Sequence, residues 1–328
     1  MNQRKTPCTT PIPHRFLSRF CIRPPGALGF LLALGALLLL FSSCLTPASS
    51  EGERAELAAD YYRLGNAFYS EGDYAASTEY LSRAYGLNPE IPGLGLSYAL
   101  SLLRLGNQSE AEAILTGLVE DDPMQPLYYS ALAYSAALQE DFSSAEGYYQ
   151  ALGELREPNP QELFNWILIR VRLGDLESAA ALIQGIPEEW LNDQPELLAA
   201  AGRVALLREN FDEALDLLKR YQARGGSKPD FLSDLVEVLH FHGLYLEEAG
   251  VRATLHRQSY KAEEQAIKLT HLYVTEIEDL SQGFAWIKRA IEAGLAEEVE
   301  ELFSVFDPTQ QAELNRLADA AATLEAAE

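Results

Sequence analysis

"YYRLGNAFYSEGDYAASTEYLSRAYGLNPE", residues Tyr61 to Glu90, decides the fold. Apolar and aromatic residues recur along it at helical spacing, in two patterns of about a dozen residues each. The patterns meet at Glu71-Gly72-Asp73, and Pro89 closes the unit. Gly followed by Asp is a turn and helix-start signal, and Pro ends what precedes it. No single helix pair of this length buries its apolar faces alone. The stretch therefore predicts a helix–turn–helix that stacks against copies of itself.

The copies follow in register. Adding 34 moves Gly72 to Gly106, Ser77 to Ala111 and Pro89 to Pro123. A further 34 reaches Tyr129, Leu132-Ala133, Phe142, Ala145 and Tyr149. A fourth unit carries Trp166 and Ile167, then Gly174-Asp175-Leu176 and Ala179. After a break around Glu188–Asp193, a fifth has Ala201-Gly202, Phe211, Ala214 and Leu218. A sixth near Gly243 and Tyr245 is degenerate, with Ala249 one place beyond the expected small position, and a seventh between Ala262 and Leu295 is weaker still.

This pattern resembles the tetratricopeptide repeat, whose 34-residue unit asks for an aromatic, Leu-Gly, Tyr, Gly, an aromatic, small residues and a final Pro. Counted from Ala58, those places hold Tyr61, Leu64-Gly65, Phe68, Gly72, Tyr74, Ser77, Ala84 and Pro89, with Ser77 where Ala is usual. The fold expected is all-α, a solenoid of stacked helix pairs over 58–297. Units 58–91, 92–125, 126–159, 160–187 and 195–228 are clear, and 229–297 is degenerate. Small residues at Gly65, Ala99 and Ala133 let the helices of a pair approach, and Tyr61, Phe68 and Leu81 fill the gaps. Residues 298–328 are expected to cap the array, with Asp307 as N-cap and Pro308 at the first helical position.

The N-terminus has another character. Its five basic residues (Arg4, Lys5, Arg15, Arg19, Arg23) precede the uncharged run Gly26–Phe41, and Ser42-Ser43-Cys44 follows. As a helix that run is about 24 Å long, short of a bilayer core of about 30 Å. Basic, apolar, small is the order of a secretory signal. The end of it resembles a bacterial lipoprotein signal over 1–43, which implies cleavage before Cys44, acylation of its thiol, and a polar tether over 44–57. A disulfide for Cys44 would need Cys8 or Cys21, both inside the expected signal. In enteric bacteria the next residue helps sort such proteins. Leu45 is not the Asp that retains them at the inner membrane, which implies an outer-membrane protein facing the periplasm.

Charge narrows the partners. The chain carries a net −24, and beyond the N-terminal segment 20 Lys+Arg face 49 Asp+Glu. That field repels a phosphate backbone, so nucleic acid is not an expected partner. No motif for catalysis stands out. His240 and His242 are two apart and cannot share a metal from one helix face. No phosphate loop or Gly-x-Ser-x-Gly is present, and no cofactor is expected.

The resemblance implies a concave face lined by the second, fifth, ninth, twelfth and thirteenth positions of each first helix. Those positions offer Tyr62, Asn66 and Tyr69, then Leu96, Leu100 and Leu103, then Tyr134 and Leu138, then Phe164, Leu168 and Val171. Chaperone-binding relatives grip a terminal carboxylate with Lys, Arg and Asn. Here only Asn66 survives of that pattern, Tyr62 replacing a Lys and Ser97 an Asn. The lining is Tyr-rich and apolar, and 12 of the 16 Tyr lie between Tyr61 and Tyr149. It suits an amphipathic helix or an extended apolar peptide. The function expected is a lipid-anchored adaptor of the bacterial envelope that binds a partner protein. The alternative is a periplasmic accessory of a solute transporter enclosing a small apolar ligand.

Overall fold

The structure is a computed structural model, and it describes residues 48–325. The expected signal 1–43 and Cys44 lie outside the described residues. Among the described residues there is no strand, and the helices pack in consecutive pairs.

The first pair is α1 (Ala48–Glu71) with α2 (Tyr74–Leu87), and the second is α3 (Leu94–Arg104) with α4 (Gln108–Asp121). Then come α5 (Pro126–Leu138) with α6 (Phe142–Leu155) and α7 (Pro160–Arg172) with α8 (Leu176–Gln184). A short α9 (Glu188–Asp193) precedes α10 (Pro195–Leu207) with α11 (Phe211–Ala223) and α12 (Pro229–Phe241) with α13 (Tyr245–Arg257). The last pair is α14 (Ala262–His271), continued by a π-helical turn at Leu272–Glu276, with α15 (Leu280–Glu292). The chain closes through α16 (Ala296–Val299), a 3-10 turn at Glu300–Val305, and α17 (Pro308–Glu325).

Local chemistry sets the pairs. Gly72, Gly106 and Gly174 stand at φ of +82°, +82° and +76°, where a side chain would be strained. One residue later Asp73 and Asp175 accept hydrogen bonds from the backbone N–H of Ala76 and Ser178, starting α2 and α8. Asp141 does the same for α6 through Ser144 N, at 3.1 Å. The third and fifth pairs make the same turn with Glu140 and Glu209, both at φ +59°. At the small position of each second helix, Ser77, Ala111, Ala145, Ala179, Ala214 and Ala249 are all fully buried. Ser77 is tolerated there because the Ser101 hydroxyl meets its own at 3.0 Å.

First helices of successive pairs also touch one another, α1 with α3, α3 with α5, α7 with α10 and α10 with α12, which makes them one layer. Within pairs the approach is close. A Cβ on Gly202 of α10 would sit 2.6 Å from Leu218 Cγ, and one on Gly65 of α1 equally near Leu81 Cγ. Both leucines are fully buried and cannot move aside. Gly202→Ala should therefore lower stability by about 1–3 kcal/mol despite Ala's better helix propensity. Urea denaturation measures it, and an unchanged midpoint would refute the tight-contact account.

Two segments depart from expectation. The polar stretch expected as a tether is helical from Ala48, because Ala, Glu and Arg favour helix and the segment forms the first turns of α1. The break at Glu188–Asp193 is a helical turn whose Leu191, with Ile186 before it, is buried in the core. At the C-terminal end Asp307 Oδ1 accepts from Thr309 N and Gln310 N, and α17 lays a fully buried Leu314 over the core of the last pair.

Candidate functional site

Three first helices, α3, α5 and α7, share a cleft open to solvent. Its larger part, about 570 Å³, lies among Leu96, Leu100 and Arg104 of α3, Leu127, Ser130, Ala131 and Tyr134 of α5, and Gln161 and Asn165 of α7. Tyr149 of α6 also borders it. A smaller part of about 210 Å³ continues past Tyr134 to Ala137, Leu138, Phe142, Leu168, Ile169 and Arg172. Tyr134, Tyr149 and Asn165 border both.

The cleft gathers Leu96, Leu100, Tyr134, Leu138 and Leu168 of the expected groove residues. Others are placed elsewhere. Leu103 is buried in the core of the first three pairs, since α3 turns that side toward its neighbours. Phe164 is buried in the core of pairs four to six, edge-on to Phe231 at 6.2 Å. Val171 packs against that same core. Tyr62 packs toward α3, its hydroxyl beside Gly93. Asn66 is half-buried on α1, outside the cleft. Tyr69 joins indirectly: its ring meets Tyr74 edge-on at 5.3 Å, and Arg104 stands over Tyr74.

Leu127, Ser130, Gln161, Arg104 and Arg172 are additions, and the repeat positions themselves could have found them. They fall at the second, fifth and thirteenth places of their units. Asn165 falls at none, and only the need of a buried phenol for a partner points to it.

The wall behind the cleft is firm. Tyr149 is buried and stacks on Trp166 with centroids 5.9 Å apart. Burial pushes its hydroxyl up to about 12, the Asn165 hydrogen bond offsetting this only in part. Asn165 Oδ1 also accepts from Gln161 Nε2 at 3.2 Å. Trp166 Nε1 donates to Glu146 Oε2 at 2.7 Å, and Arg170 pairs with the same carboxylate at 3.0 Å. Glu162 is buried at the start of α7, where it completes a capping box with Asn159 and takes two bonds from Arg156. Burial opposes its charge, but Arg156 and the Asn159 N–H together hold its carboxyl below the usual range.

At the other rim, the guanidinium of Arg104 lies 5.5 Å from the Tyr74 ring centre and 6.0 Å from that of Tyr134. The Tyr69 hydroxyl beside it raises its pKa further. No carboxylate lines either part of the cleft, so its polar groups are amides, hydroxyls and two arginines. Such a surface can hold a peptide through apolar contact and hydrogen bonds. It pairs no nucleophile with a base. Among the described residues no group of three or more His, Cys, Asp or Glu is placed to hold a metal ion. His240 faces Glu248 at 3.0 Å, and His242 lies toward Asp212 at 3.7 Å. No helix of the described residues is long and apolar enough to cross a membrane.

Comparisons with known proteins agree with this architecture. Two family models described as tetratricopeptide repeat match residues 68–133 and 164–229. A tetratricopeptide repeat protein from Parabacteroides merdae ATCC 43184 is similar in structure, with 14% identity and a TM-score of 0.53 over 80% of this chain and 99% of that one. PilF of Pseudomonas aeruginosa is similar too, at 14% identity and a TM-score of 0.50, over 68% of this chain and 95% of that one. At such identity the likeness is one of fold. No curated protein sequence matches the chain. The repeat fold suggests a protein–protein interaction or scaffold role. The chain is a tetratricopeptide repeat protein.

Proposed function

We propose that the protein is a non-catalytic adaptor, lipid-anchored in the bacterial cell envelope, whose cleft holds a segment of a partner protein near the membrane. The observation that carries the binding role is the open cleft across α3, α5 and α7, apolar on its walls and bordered along its length by Tyr134. Aromatic residues at the centre of an open apolar groove are the usual anchors of peptide recognition. An enclosed small molecule would need a closed cavity, and both parts of this one open to solvent.

The anchoring rests on the order of the first 44 residues, basic, apolar, small and then Cys44. Two or more acyl chains at that cysteine would hold the protein stably, where one would bind only marginally. Leu45 after it favours the outer membrane, with the array in the periplasm.

Cross-linking in living cells tests the adaptor, with a photoreactive residue in place of Tyr134. One dominant envelope protein captured supports the reading. A folded, membrane-bound protein that captures none overturns it in favour of a small ligand. Cys44→Ala should abolish fatty-acid labelling and release the protein from the membrane fraction, and a variant still labelled would end the lipoprotein reading.

A further inference from the structure

We infer that the partner segment carries an acidic side chain, and that Arg104 is the group that receives it. The inference rests on the adaptor reading and adds the chemistry of what the cleft selects.

Charge is the first ground. The chain carries a net −24, and most Lys and Arg among the described residues have a carboxylate within 4 Å, as Arg156, Arg170, Arg203 and Arg252 do. Arg104 has no such partner among the described residues, and neither has Arg172 at the other end of the cleft. The lining of the cleft thus carries two arginines and no carboxylate to neutralise them. A groove meant only for apolar side chains gains nothing from an arginine at its rim. One meant for an acidic residue among apolar ones does.

Geometry is the second. Arg104 ends α3 beside the rings of Tyr74 and Tyr134. Ring faces and the Tyr69 hydroxyl hold the guanidinium without neutralising it, so donors remain for a carboxylate from outside. Across the cleft on α7, Gln161 and Asn165 offer amides to a passing backbone. The ligand is assigned as a side chain because the cleft runs open across three helix pairs, and because the Lys and Asn positions that close on a chain end are replaced by Tyr62 and Ser97.

The test is selection from two random 12-residue peptide libraries on the full chain in detergent, one displayed with its C-terminus free and one with it fused. The wild type should enrich Asp or Glu beside apolar residues in both libraries. Arg104→Gln, an exposed substitution, should lose the acidic preference and bind the selected peptides about fivefold more weakly. Acids enriched only at a free C-terminus would overturn the side-chain assignment. So would peptides without acids, or an acidic preference that survives Arg104→Gln. If Tyr134→Glu still abolishes selection in those cases, the cleft stands and only the role of Arg104 falls. Peptides insensitive to Tyr134→Glu, or none selected at all, would overturn the adaptor reading and this inference together.

Discussion

Arg252→Met should cost the C-terminal repeats about 3–5 kcal/mol, the range for stripping the partner from a buried charge. Glu248 on α13 has a side chain only 2% exposed, and its Oε1 accepts from Arg252 Nε at 2.6 Å. Its Oε2 lies 3.0 Å from His240 Nδ1 on α12. Arg252 in turn donates to Oε1 of the buried Gln265 on α14, at 3.1 Å. One carboxylate therefore ties three helices belonging to the sixth and seventh pairs. Methionine fills much of the arginine's volume, so the loss would be electrostatic and not a cavity.

The double variant Glu248→Leu/Arg252→Met should recover most of the loss, because well-packed apolar replacements of buried pairs are often neutral. Stability in a stacked array passes through nearest neighbours. Hydrogen exchange should thus speed up in α12 to α15 while α3 to α7 keep their protection, and the cleft should still bind. A loss below about 1 kcal/mol would mean the pair is solvated. Loss of protection along the whole array would mean the repeats unfold as one unit.

The fold was legible because the repeat writes the same packing constraint at fixed spacing. A second helix meets its neighbours where only a small side chain fits, and Ser77, Ala111, Ala145 and Ala179 mark those places in perfect register. The spacing then stretches by one before Ala214 and again before Ala249, and the accumulated slip makes the sixth unit look degenerate although its small residue is as fully buried. The π-helical turn at Leu272–Glu276 and the six residues of α9 are too short to show a period, so tertiary packing alone fixes them.

The cleft was half legible. Inner-face positions point to Leu96, Leu100, Tyr134, Leu138 and Leu168, which the structure gathers. The twelfth position misleads at Leu103, since α3 turns that side into the core and offers the thirteenth, Arg104, instead. An apolar groove expected from Tyr and Leu gave no reason to admit an arginine. The repeat position marks its place, but what holds it there, the rings of Tyr74 and Tyr134 at 5.5 Å and 6.0 Å, is tertiary packing that no spacing shows.

Tyr134→Glu should weaken partner binding by at least about 30-fold, the loss of one central aromatic anchor, while Tyr134→Phe stays near the wild type. Tyr134 borders both parts of the cleft, so a bound segment cannot run its length without crossing that ring. Two effects add in the glutamate variant. The aromatic surface is lost, and a carboxylate arrives beside Arg104, whose guanidinium already stands 6.0 Å from the ring centre. That carboxylate would occupy the cation and set a like charge against an acidic partner. Stability should change by about 0.5 kcal/mol or less, because Tyr134 is only partly buried and other contacts hold α5 in place. Titration calorimetry with the cross-linked partner, once identified, reads both variants. Equal affinities for wild type and Tyr134→Glu would move the contact surface off this cleft. A loss shared equally by Tyr134→Phe would instead make the hydroxyl the recognised group. Only a loss confined to the glutamate variant matches an apolar groove with a cation at its rim.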